Sequence, residues 1–193
     1  MVSHKHLEFG PKAIDELAVD EGVKLNAYVA PEGQWTIGIG STYIPPGFAI
    51  DINGETIIYS KKQPVRPGMS LASVEEAKRL ARHLINTEYG KTVVKHVKVP
   101  LTNSMYEALV NLTFNIGVNA FQKSTLLKHL NNKDYEKAAG EFIVWNKHYK
   151  PAQGKLDHSE GLIRRRIREM VKFIDGFNEF INKPEESPKR PIQ

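Results

Sequence analysis

The chain has 193 residues, of which 40% are hydrophobic and 25% charged, a balance that suits one globular domain, or a compact pair of lobes, around a real core. It contains no cysteine, which excludes a disulfide framework and a thiolate metal site and is compatible with folding in the cytosol. The net charge of +5 suits an anionic partner such as nucleic acid, anionic lipid or an acidic polymer, and equally a merely soluble basic protein. No apolar run approaches the roughly 20 residues of a membrane span, and residues 1–10 carry no signal-peptide core.

In chain order, Gly10-Pro11 breaks the start. Residues 12–21 then read as a helix with Ile14, Leu17 and Ala18 at helical spacing and Gly22 as its stop. Residues 26–29 and 34–39 read as two strands joined by Ala30-Pro31-Glu32-Gly33, a type I turn by its Pro and Gly positions. Alternation in the second strand puts Trp35, Ile37 and Ile39 on one face and Thr36, Gly38 and Gly40 on the other. One face is bulky and apolar; the other is bare backbone with one hydroxyl, on which a flat polymer could lie.

Residues 44–68 form a long excursion, with a two-residue hairpin signal at Asn53-Gly54 between the β-rich pieces 48–52 and 56–59. It reads as an appended hairpin too polar for the main core. Ser73 with Glu76 forms a capping box that opens a long helix through Ala77, Leu80, Ala81, Leu84 and Ile85, continuing past Tyr89 towards Val97. Such a helix could bridge two lobes. After Pro100, Thr102 caps a helix whose buried stripe is Met105, Ala108, Leu109 and Leu112. Residues 124–130, 134–145 and 159–180 read as three more helices. The stretch 183–193, KPEESPKRPIQ, is Pro-rich and charged, the composition of a disordered tail.

Glu21 is the leading chemical candidate. An acid that protonates a leaving oxygen at neutral pH needs a sheltered carboxyl, and Gly22 with the hairpin could provide that shelter. The bland alternative is a solvated Glu at a helix end. Thr36 is either an ordinary β-branched strand residue or a hydroxyl that holds a water. The seven His show no metal-ligand spacing, and no phosphate loop, Ser-His-Asp order or aromatic-basic stripe of a nucleic-acid binder stands out. No cofactor is implied.

The run Glu21-Gly22, Ala27-Tyr28, Trp35-Thr36-Ile37-Gly38-Ile39-Gly40 resembles the active-site signature of the phage-type lysozymes, glycoside hydrolase family 24. So do Leu109 to Gly117 (LVNLTFNIG) with Phe121 and Ser124-Thr125-Leu126-Leu127, and Gly161-Leu162 with Arg165, Arg166 and Glu169. The resemblance covers residues 10–175, broken by the excursion, which is longer than in most relatives. It implies a mainly helical α+β fold in two lobes, a small hairpin lobe and a larger helical one, with the cleft between them. The implied activity is hydrolysis of the β-1,4 bond between N-acetylmuramic acid and N-acetylglucosamine in peptidoglycan, by an endolysin that acts as a monomer. Such an enzyme would start in the host cytoplasm and reach the wall with help from a separate membrane-permeabilising protein.

By the same resemblance Glu21 is the acid, Thr36 holds the water, and Arg165 turns inward to order the site. Thr42, Phe114, Asn115 and Ser124 would lie along the saccharide cleft. The family has an Asp or Cys between the Glu and the Thr, and this chain has Ala30 there. A methyl group can neither accept a proton nor offset oxocarbenium charge. Ala30 is read as a deliberate replacement or a natural loss, the first favoured because the rest of the site is intact; Glu32 is two residues displaced. A non-catalytic wall-binding protein derived from a lysozyme is the rival reading.

Overall fold

The computed structural model describes residues 6–31, 33–150 and 155–182. The expected tail at 183–193, Glu32 and His4 lie outside the described residues.

Helix α1, Pro11–Glu21, begins with Pro in its first turn, where no N–H partner is needed. It ends at Gly22, whose φ of 72° a side chain would resist. Strands β1, Lys24–Val29, and β2, Trp35–Gly38, pair antiparallel with Tyr28 opposite Thr36 and Val29 opposite Trp35. The Gly33 N–H donates to the Ala30 carbonyl at 2.8 Å, closing the expected turn.

The second strand is shorter than its alternation suggests. Gly38 and Gly40 both take positive φ, so the chain turns at residues 39–40 instead of continuing the pleat. Ile37 consequently enters one hydrophobic core and Ile39 the other. A Cβ on Gly38 would sit 3.3 Å from a Leu71 methyl and 3.4 Å from the Ala77 Cβ. Its bareness therefore serves close packing within the protein, a correction to the reading of an open glycine face.

Two short ladders follow. Strand β3, Tyr43–Ile44, pairs with β6, Gln63–Pro64, and between them β4, Ala49–Ile52, pairs with β5, Glu55–Ile58. Asn53 and Gly54 both have positive φ, as the two-residue turn requires. Residues 44–68 contribute nothing to the larger core, but they are no mere appendage, because they build much of the second one. Ile44, Phe48, Ile50, Ile52 and Val65 are buried in one cluster with Ile37, Leu71, Ala77, Leu80 and Leu84. Ile50, Ile52 and Ile57 share one side of the hairpin with Glu55 at its turn, while Asp51 and Thr56 take the other.

Helix α2, Val74–Leu84, is capped by Ser73, whose hydroxyl accepts from the Glu76 N–H. It runs without a break through a π-helical turn, Ile85–Gly90, into α3, Lys91–His96. Ala77, Leu80 and Leu84 face the small-lobe core, while Ala81, Ile85 and Val93 face the large one. One long helix thus seals both lobes, the bridging place its length allowed.

The large lobe contains α4, Asn103–Ile116, α5, Val118–Lys123, α6, Thr125–Asn131, α7, Tyr135–Gly140, and the long α8, Glu160–Ile181. The helix expected over 134–145 stops at Gly140 and gives way to a turn. A hairpin that the sequence reading left unassigned follows, β7, Lys147–Lys150, against β8, Lys155–His158.

Helix α8 packs along α4, and Gly176 marks their closest approach. A Cβ there would lie 2.5 Å from the Thr102 hydroxyl and 2.8 Å from the Met105 N–H nitrogen, the two atoms of the α4 cap. Gly176→Ala should therefore destabilise the protein by about 1–3 kcal/mol despite the better helix propensity of alanine. An unchanged or raised melting temperature would show that the helices can separate without loss.

Candidate active site

The site is built where α1 ends, β1 begins and α8 passes behind. Glu21 and Asp20 occupy the last turn of α1, where the helix dipole opposes negative charge and where α1 supplies no basic residue. Helix α8 supplies the missing cations. The Arg165 guanidinium donates from Nη1 to Glu21 Oε1, from Nε to Glu169 Oε1 at 3.2 Å and from Nη2 to Asn111 Oδ1 at 2.6 Å. It also lies 3.8 Å from Asp20 Oδ2, and Arg168 donates to Asp20. The Glu21 side chain is 27% exposed, so its shelter is partial and its direct partner is a buried cation.

Behind Arg165 is a second charged pair. Arg166 is 0% exposed and donates from Nη2 to Asn115 Oδ1 at 3.1 Å, with Glu169 Oε1 also 3.1 Å away. Glu169 is 3% exposed and shares one oxygen between two guanidiniums. Its other oxygen, and Nε and Nη1 of Arg166, have no hydrogen-bond partner. Burial pushes the Glu169 carboxyl up to about 7, against the pull of Arg166 and Arg165. Burial likewise brings Arg166 down to about 10, which leaves it charged at neutral pH.

The remaining expected residues fall into three groups. Thr36 is 3% exposed in β2 and its hydroxyl donates to the Gln34 carbonyl at 3.2 Å, leaving its lone pairs to accept. Ala30 sits at the hairpin turn with both backbone groups engaged: its N–H donates to Gln34 and its carbonyl accepts from Gly33. Its methyl group adds no polar contact.

Phe114 stands across from the small lobe, its ring atom 3.5 Å from where a Gly40 Cβ would be, and packs edge-on to Tyr89 at 5.2 Å. Asn115 is exposed one residue on, and half-buried Thr42 follows the Gly40 turn, its carbonyl accepting from the Val65 N–H. Of these three, Phe114 is the one that approaches the opposite lobe, at Gly40.

Ser124 does not join them. It is buried, donates to the Phe121 carbonyl at 2.7 Å and accepts from the Leu127 N–H at 3.1 Å. It caps α6, and its assignment to the cleft is corrected. Arg165 is likewise a buried partner of carboxylates, not a group free to bind sugar.

Sequence reasoning passed over Asp20 and Asn111 and gave Arg166 and Glu169 no role. The spacing of Arg165, Arg166 and Glu169 at three and four residues along one helix was the available signal. The basic run is divided: Arg164 and Arg168 are exposed, Arg165 and Arg166 buried. A cavity of about 1080 Å³ lies elsewhere, lined by Asp15, Phe48, Lys78, Arg82 and Lys91, and includes neither Glu21 nor Thr36. No three His, Asp or Glu among the described residues could hold a metal, and no helix is long and apolar enough to cross a membrane.

Two lobes sealed by one helix, with a carboxylic acid held at their junction beside a β-hairpin, define a lysozyme-type glycoside hydrolase. The phage lysozyme family matches residues 18–169, and the chain belongs to that family. It is 36% identical to an endolysin of Acyrthosiphon pisum secondary endosymbiont phage 1 over 153 residues, 79% of this chain and 88% of that one. It is 32% identical to the endolysin of Salmonella phage P22 over 168 residues, 87% of this chain and 99% of that one. Among solved structures, the endolysin from Escherichia coli O157:H7 phage FAHEc1 superposes with a TM-score of 0.70 at 31% identity, covering 88% of this chain and 95% of that one.

Proposed function

We propose that the protein is an endolysin that hydrolyses the β-1,4 bond between N-acetylmuramic acid and N-acetylglucosamine in peptidoglycan, for host lysis, at a rate limited by Ala30. The observation that carries this reading is Glu21, held by Arg165 at the lobe junction within the family-matched segment. Protonated Glu21 delivers its proton to the glycosidic oxygen, and the carboxylate left behind returns to Arg165. The hydroxyl of Thr36 accepts from a water below the ring. Thr42, Phe114 and Asn115 border the groove that the glycan follows.

What is missing is the group that takes the water's proton or meets the oxocarbenium charge. At position 30 a methyl group stands in a turn whose backbone donors and acceptors are already engaged. That observation also favours a second reading, a protein that binds peptidoglycan without cutting it. In either case the chain works as a monomer on the anionic wall, consistent with its net charge of +5. It reaches the wall from the host cytoplasm after a separate protein permeabilises the membrane.

Purified peptidoglycan separates the two readings. Under the first, prolonged incubation releases soluble fragments with new reducing ends on N-acetylmuramic acid, and Glu21→Gln stops the release while leaving sedimentation with the wall unchanged. Binding with no new reducing ends at any time would leave only the second.

A further inference from the structure

Arg165 has a carboxylate on each side: Glu21 in front, at the lobe junction, and Glu169 behind, in the interior. A guanidinium carries one positive charge over a rigid fork, so what it gives to one partner it withholds from the other. The charged groups around it are few. The inner group is Asp20 and Glu21 from α1 with Arg165, Arg166, Arg168 and Glu169 from α8, to which α4 adds the uncharged Asn111 and Asn115; along the same cavity Lys172 of α8 pairs with Glu16 of α1 and Glu107 of α4, outside that inner group of six charges. Three anions and three cations balance when all are ionised. A proton on Glu21, which the chemistry requires, leaves one positive charge in excess.

We propose that Glu169 is a positioning residue for the acid Glu21, acting through Arg165, so that its ionisation sets how firmly Arg165 holds the Glu21 carboxylate. When Glu169 is ionised it draws Arg165 back and Glu21 keeps its proton more readily. When Glu169 is neutral, the charge of Arg165 falls on Asp20 and Glu21, and Glu21 is held as the anion, which cannot donate.

Three features of the site support this. Glu169 spends a single oxygen on both guanidiniums and leaves the other unsatisfied, so the protonated form loses little and can persist. A cavity of about 50 Å³, whose lining includes Asp20, Glu107, Asn111, Arg165, Glu169 and Lys172, adjoins it. That space and its polar walls suit a water molecule that carries the proton in and out. Burial also brings the carboxyl into the range where it titrates near neutrality. A purely structural ion pair would need neither the orphan oxygen nor the cavity.

The inference rests on Glu21 being the acid, and its test does not require turnover. In the full chain labelled with ¹⁵N and carrying Asp20→Asn, which removes the third carboxylate near Arg165 Nε, the Arg165 Nε–H resonance is followed from pH 3 to 9. It should show two inflections, one from each carboxylate. Glu169→Gln should remove one and move the other to lower pH by roughly one unit, a tenfold loss of proton affinity. Glu169→Asp, which keeps the charge, should bring the second inflection back.

Should Glu169→Gln fail to fold, Glu21→Gln decides: one inflection must remain, and a flat curve overturns the inference. Two inflections unmoved by Glu169→Gln overturn it as well. The functional reading fails separately, through wall cleavage that persists in Glu21→Gln while the Arg165 titration behaves as described.

Discussion

Ala30→Asp should raise the rate at which the protein clears a peptidoglycan suspension by about 10² to 10⁴, the usual contribution of a missing general base. The change is local. Position 30 opens the turn closed by the Gly33 N–H, and the first place of such a turn favours Asp, whose side chain bonds to backbone two residues on. The substitution should therefore fold at least as well as the parent. In the restored protein, Glu21→Gln should remove the gain, because an amide cannot protonate the leaving oxygen. Should turbidity fall at an ordinary lysozyme rate before the substitution and no faster after it, position 30 is not where the base acts.

Replacing residues 44–68 by a short Gly-Ser link should unfold the small lobe. Loop closure itself is a minor term, since its cost grows slowly with length. The segment matters because it buries Ile44, Phe48, Ile50, Ile52 and Val65. Each such side chain contributes about 1.5–3 kcal/mol on burial, and their sum is comparable to the whole stability of a typical domain, about 5–15 kcal/mol. Hydrogen exchange should show β1 and β2 losing protection while α4 and α8 keep theirs, since those helices belong to the other core. Retained protection across β1 and β2 would mean that α2 alone can hold the hairpin.

These expectations separate what local chemistry specifies from what packing specifies. Capping residues and turn glycines act within a few positions along the chain. For that reason Gly22, Asn53-Gly54, Ser73 and Thr102 could be placed from sequence, and each performs its expected role. The long helix from Ser73 was legible for a similar reason, because helical spacing repeated over many residues survives one π-helical turn. Glu21 and Ala30 stood out only through the family motif, since a Glu at a helix end and an Ala in a turn have bland explanations.

What contacts far along the chain decide was not legible. The positive φ of Gly38 sends Ile37 and Ile39 into different cores, which a period of two residues cannot express. Residues 44–68 were read as an appendage because average composition does not say which side each residue takes, and Ile44, Phe48, Ile50, Ile52 and Val65 all turn inward. Ser124 had the residue type of a binding group, but its hydroxyl is engaged on both sides by backbone, the Phe121 carbonyl and the Leu127 N–H. The basic run of α8 was split between water and interior by the position of α1, which brings Asp20 and Glu21 against Arg165 and Arg168 across more than 140 residues of sequence. By itself the sequence determined most of the helices, the hairpin turn and the residue at position 30, all of which depend on neighbours in the chain. Only the tertiary structure decided which charges are buried together, because the cost of burying a charge depends on partners that meet through folding.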